Sequence, residues 1–139
     1  MKRITFLLLL LPALCLTSCN DDDTTPDMES PELAATWKLV NVSGSIAGVS
    51  YDFEPGTIKW TFNMDGTVNV INNNTDENAE DFFGSGTYDF HFEANETTPE
   101  MCTHSLFVEN LELGCQDITE TQLVISQVWA DGYQLTFVK

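Results

Sequence analysis

Positive charge is what this chain lacks most: 5 lysines and arginines stand against 22 aspartates and glutamates in 139 residues, a net charge of −17. A surface that acidic repels nucleic acid phosphates and anionic lipid headgroups, which argues against either as a partner. Histidine is scarce as well, with only His91 and His104 present. The chain also lacks a long apolar run. Its best candidate, residues 4–16, is well short of the roughly 20 residues a spanning helix needs. No internal repeat recurs and no helical periodicity is sustained. No serine stands in a nucleophile elbow, and no glycine pattern suggests an oxyanion hole. These gaps argue against an enzyme and against any cofactor, and no cofactor is expected.

The short apolar run has another meaning. Met1-Lys2-Arg3 gives it a basic head, and Leu16-Thr17-Ser18-Cys19 ends it on small residues before a cysteine. Such a pattern reads as a secretory signal. The ending resembles the lipobox of bacterial lipoproteins, which implies a signal peptide over 1–18 and a diacylglycerol on Cys19. The membrane partner would then be reached through the lipid at the new N-terminus. Next comes Asn20-Asp21-Asp22-Asp23, which resembles the acidic surface-export signal of lipoproteins in Bacteroidota. That resemblance implies an outer-membrane protein facing the cell exterior; a plain solvated charge run at the head of a linker is the other reading. Asp23-Thr24-Thr25 also resembles the short O-glycosylation motif of that phylum. Polar, proline-punctuated sequence continues to residue 32, so 19–32 is expected to be an acidic linker and 33–139 the domain. Removing Lys2 and Arg3 leaves 3 lysines against 22 acids, a charge of −19.

Processing also sorts the four cysteines. Cys15 leaves with the signal and Cys19 is consumed by lipid. Cys102 and Cys115 remain, an even pair in an exported protein, which favours a disulfide. The competing reading is a metal site with His104 as a third ligand, but the spacing fits no zinc signature. A disulfide requires the two Cα atoms within about 7 Å, so the chain between them must fold back, near Glu109-Asn110.

What the domain does contain is alternation. Ile58-Lys59-Trp60-Thr61-Phe62-Asn63-Met64 places apolar residues at every second position, as do Tyr88-Asp89-Phe90-His91-Phe92 and Tyr133-Gln134-Leu135-Thr136-Phe137-Val138. Period two means strands with one buried face. Asp65-Gly66 and Asp131-Gly132 each stand between two such runs, the sequence signal for a hairpin with a type I′ turn. Seven or eight short strands are predicted: 36–43, 48–53, 57–64, 67–72, 86–93, 104–109, 121–129 and 132–138. Their spacing points to an all-β, antiparallel sheet that closes on itself, since closure removes vulnerable edges.

Four phrases then carry a resemblance: Ala35-Thr36-Trp37-Lys38-Leu39-Val40, Thr61-Phe62-Asn63-Met64-Asp65-Gly66-Thr67-Val68, Gly86-Thr87-Tyr88 and Thr121-Gln122-Leu123-Val124-Ile125-Ser126. In order and extent the domain is similar to the lipocalin-like domain common among Bacteroidota lipoproteins, which implies an up-and-down barrel. Lipocalins usually have glycine two places before the first-strand tryptophan, where this chain has Ala35. That departure bears on ligand transport more than on the barrel.

The inward-facing set on this reading is Trp37, Leu39, Ile58, Trp60, Phe62, Val68, Val70, Tyr88, Phe90, Phe92, Leu106, Leu123, Ile125, Leu135 and Phe137. An eight-stranded barrel is either filled by its side chains or holds one small molecule. So heavy an aromatic load favours the filled state, with Trp37, Trp60, Phe62, Tyr88, Phe90, Phe92 and Phe137 as core; the same residues would face a small apolar ligand if the mouth were open. His91, between two inward phenylalanines, should point outward. His104 with Glu100 could form a base and its orienter, but no nucleophile accompanies them. One long polar loop, residues 72–81, offers Asp76, Asn78, Glu80 and Asp81 as oxygen donors for calcium. It is not an EF-hand, because Asp81 occupies the place of the required glycine, and a solvated loop is the plainer reading. Three functions are weighed: a non-enzymatic surface lipoprotein whose domain binds a small molecule or a macromolecule; an accessory subunit with a filled barrel that holds a partner protein; and, least supported, an enzyme.

Overall fold

The computed structural model describes residues 31–139. The leader 1–18, Cys19, the Asn20-Asp21-Asp22-Asp23 run and Asp23-Thr24-Thr25 lie outside the described residues. A single 3₁₀ turn, Pro31–Leu33, precedes nine strands: β1 (Thr36–Gly44), β2 (Val49–Asp52), β3 (Ile58–Phe62), β4 (Thr67–Asn72), β5 (Gly86–Ala94), β6 (His104–Val108), β7 (Leu111–Ile118), β8 (Gln122–Ser126) and β9 (Tyr133–Val138). All neighbouring pairs are antiparallel, and β9 returns to pair with β1. Eight strands therefore form a closed barrel with β2 as an extra.

The status of β2 follows from register. Asn41 of β1 pairs with Asp52 of β2, and Leu39 of β1 pairs with Ile58 of β3, along the same edge. One β1 residue, Val40, thus faces the whole of 53–57, and its carbonyl accepts the Phe53 N–H at 2.9 Å. β2 and β3 act as one long barrel strand interrupted by a loop. Pro55 sits in that interruption, where no ladder donor is needed.

Alternation builds the core. β3 alternates buried and half-buried residues along its whole length, so Trp60 and Phe62 share the inner face. Thirteen of the fifteen residues expected to point inward are buried, and the other two, Tyr88 and Phe92, are half-buried against that core. Leu33, Val42, Phe53, Val108 and Leu113 join them.

β7 is a correction, because 111–118 was not among the predicted strands. Its alternation slips by one residue at a bulge. Phe107 pairs with Glu112 but Leu106 with Gly114, which leaves Leu113 extra on β7. Both Leu113 and Gly114 are buried, and beyond them Gln116 and Ile118 stand opposite the core residues Ile125 and Leu123. A bulge restarts the period-two count, so the segment does not scan as a strand. Gly114 has φ +94°, and a Cβ there would collide with the Ser126 carbonyl. β8 also stops at Ser126, earlier than expected, because 127–132 forms the connection to β9.

Both Asp-Gly hairpins form, but not through type I′ turns. The β3–β4 connection has four residues, with Gly66 N–H donating to the Asn63 carbonyl and positive φ only at Gly66. That is a tight turn followed by a left-handed glycine. In the β8–β9 connection the positive φ falls on Asp131, not Gly132.

Candidate functional site

Trp60 lies at the centre of the aromatic interior. Its ring centroid is 5.3 Å from Phe137, 5.4 Å from Phe83 and 6.1 Å from Phe62. Phe62 in turn meets Phe90 at 5.1 Å, and Phe90 meets Phe92 at 6.2 Å. These are edge-on or tilted geometries that aromatic pairs favour. A void that could hold water would show as accessible surface on the residues lining it. Trp37, Leu39, Ile58, Trp60, Leu123, Ile125, Leu135 and Phe137 present 0%. Of the aromatic residues expected from sequence, Trp60, Phe62, Phe90, Phe92 and Phe137 form one contiguous set, and Tyr88 joins it through Phe83. One polar atom is left over: Trp60 Nε1 is buried with no acceptor.

Both ends of the barrel are covered. At the end where the described chain begins, the 3₁₀ turn folds beneath the strands and buries Leu33. The Leu33 carbonyl accepts the Trp37 indole N–H at 3.0 Å, and Lys139 Nζ sits 4.9 Å from the Trp37 ring centroid. At the far end the loop 73–85 returns across the strands. Asn72 and Ser85 close its base, Ser85 Oγ accepting the Asn72 N–H at 2.9 Å and donating to the Asn72 carbonyl at 3.1 Å. Its last turn carries Phe82 and Phe83 inward. Phe83 meets Tyr88 at 4.9 Å as well as Trp60, and Phe82 meets Tyr133 edge-on at 5.5 Å. Phe82 adopts φ +65°, a conformation that packing must impose on a bulky side chain. Sequence reading missed this cover; an adjacent phenylalanine pair closing an otherwise polar loop was the available signal.

The calcium candidates lie in that same loop. Asp76 Oδ1 accepts both the Asn78 N–H and its side-chain amide, Asp81 Oδ2 accepts the Asn74 amide, and Glu80 Oε1 accepts the Phe82 N–H. One oxygen each of Asp76, Glu80 and Asp81 is thus tied to a donor within the loop and shapes its turns. Among the described residues no three histidine, cysteine or carboxylate side chains converge as a metal site.

Cys102 and Cys115 form a disulfide with Cα atoms 5.7 Å apart. The intervening chain reverses at Glu109-Asn110, with Glu109 at φ +54°. With both sulfurs bonded to each other, the cysteine–His104 metal reading is set aside. His104 Nδ1 lies 3.2 Å from Thr103 Oγ1, and Glu100 is exposed. His91 points outward as expected: it stacks on Phe107 at 5.3 Å, and its Nε2 is 3.1 Å from Glu93 Oε1.

The outer surface at the far end is a further candidate. Ile46 is 86% exposed in the β1–β2 loop and Trp129 44% exposed in the β8–β9 loop. Those loops adjoin, since Ser45 N–H donates to the Gly132 carbonyl at 3.3 Å, and a Cβ on Gly44 would collide with the same carbonyl. Beside β2 a groove of about 230 Å³ runs toward the polar loop, lined by Tyr51, Asp52, Asn74 and Asp76 among others. This rim offers exposed apolar side chains bordered by carboxylates. No family model, curated protein or solved structure matches the chain.

Proposed function

We propose that this chain is a lipid-anchored envelope lipoprotein facing the cell exterior, whose lipocalin-like barrel is a non-enzymatic scaffold that presents its outer surface to a partner protein. The anchor rests on Leu16-Thr17-Ser18-Cys19 and the acidic run behind it. One observation carries the scaffold reading: the interior is occupied by its own side chains, so recognition falls to the outside. Position adds support. The described chain starts at one end of the barrel, and the Ile46–Trp129 rim lies at the opposite end. Exposed tryptophan is the residue type most enriched among interface anchors.

The second reading is a small apolar ligand in the barrel mouth. The unpartnered Trp60 Nε1 and the backward-bent Phe82 favour it, since a ligand carrying one acceptor could displace Phe83 and satisfy the indole.

Two measurements in the producing cell test the proposal. Labelled palmitate should enter the protein and be lost on Cys19→Ala. A photocrosslinking residue at position 46 or 129 should give one discrete protein adduct on intact cells, while one at Asn69, on the exposed face of β4, should not. An unacylated Cys19, or equal crosslinking from every position, contradicts the proposal.

A further inference from the structure

A second concavity lies on the outer face of β5–β7, away from the rim. It is about 430 Å³ and is lined by Glu93, Asn95, Glu96, Ser105, Phe107 and Glu112 among others. Three features distinguish it from a general acidic surface. First, its upper wall is rigid. Asn95 is buried, accepts the Thr98 N–H at 3.0 Å, donates to the Thr98 carbonyl at 3.1 Å and reaches Cys102 Sγ at 3.6 Å. The disulfide then staples that hairpin tip to β7. Second, the floor holds an unanswered polar group. Ser105 is 1% exposed and its hydroxyl has no hydrogen-bond partner, although buried hydroxyls are almost always paired. Third, three carboxylates border the groove and no lysine does, Glu93 alone having a basic neighbour in His91, whose Nε2 is 3.1 Å from its Oε1. The lysines of the described chain are Lys38 on β1, Lys59 on β3 and the terminal Lys139, and none of them lines it.

We propose that this groove binds an arginine side chain presented by an extended basic segment of the partner protein. This rests on the reading above that the barrel is recognised from outside. Arginine fits better than lysine on geometry. Its flat guanidinium can lie against Phe107, which His91 braces by stacking at 5.3 Å. Its five N–H donors can reach several acceptors at once, Glu93 and Glu112 on the two strands that flank β6 and the Ser105 oxygen on β6 between them. Calcium fits poorly, because these carboxylates do not converge as a metal cluster.

The test titrates the purified protein with the capped peptide Gly-Arg-Arg-Gly, its lysine analogue, its neutral citrulline analogue and calcium chloride, following backbone amide shifts. The arginine peptide should saturate shifts centred on Glu93, Ser105, Phe107 and Glu112. The lysine peptide should bind about tenfold more weakly and the citrulline peptide not at all. Glu112→Gln should weaken arginine binding about tenfold, and Ser105→Ala about threefold without lowering Tm, since it deletes a hydroxyl that the free protein leaves unpaired. Glu120→Gln, elsewhere on the surface, should change nothing. Equal arginine and lysine binding with shifts spread over the acidic surface, or calcium saturating the same amides alone, overturns the assignment. If the rim crosslinks fail while the groove still discriminates arginine, the fault lies with the rim and not with the groove.

Discussion

Trp60 is fully buried and touches three rings, from its own strand, the loop 73–85 and β9. Trp60→Ala is expected to destabilise the fold by about 3–5 kcal/mol, read as a lower denaturation midpoint at unchanged slope. Asp65 represents the opposite kind of residue. It is exposed, yet its Oδ1 accepts the Thr67 hydroxyl at 2.6 Å and the Thr67 N–H at 3.1 Å. Those two bonds hold its carboxyl below the ordinary range, the hydroxyl contributing most. A folded-state value below the unfolded one means its contribution is fully present above the unfolded pKa and fades as pH falls through the folded one. The β3–β4 hairpin should therefore loosen in acid, below about pH 4, and Asp65→Asn should flatten that part of the stability profile. Proton-detected titration of the Thr67 amide checks the sign. Gly114 was legible only in part. Its glycine marks a bulge, but the collision that makes glycine obligatory arises across strands, with Ser126 on β8, and no local pattern reports a cross-strand contact.

Elements differ in how plainly the sequence announces them. β3, β4, β5, β8 and β9 sit on alternating runs because one face of each meets the core and the other meets water, so period two was readable in each. β7 escaped notice because its bulge reverses the phase halfway along. The loop 73–85 escaped for another reason: its polar stretch reads as solvated, and the adjacent phenylalanine pair that ends it does not by itself say that Phe82 turns onto Tyr133 and Phe83 onto Trp60. Phe83→Ala should accordingly expose the interior, so that the Trp60 indole proton exchanges much faster than in the unaltered protein. A Phe83→Ala protein whose indole proton stays protected would mean the loop is not a cover. The disulfide was legible from cysteine arithmetic, and the chain reversal near Glu109-Asn110 followed from it. Its reduction should cost about 3 kcal/mol in the chain-entropy model. It should speed amide exchange in 96–102, yet leave the β1–β9 closure protected, because that seam lies on other strands.

At the scale of the whole molecule, a ring of eight short strands has room for little beyond its own side chains, and this one uses that room for aromatics. What the fold leaves available is its exterior: an apolar rim at Ile46 and Trp129, and an acidic groove over Ser105. Barrel and core were readable from one sequence because burial imposes a periodic pattern on each strand. The rim and the groove were not, since both assemble from loops and strands distant in the chain and obey no period.

The central claim is that the barrel is full. Native mass spectrometry of the protein purified from its producing cell tests this most directly. A noncovalent mass equal to that of the covalent chain alone is the expected result. A stoichiometric small molecule, released when Trp60 becomes exposed on unfolding, would contradict it.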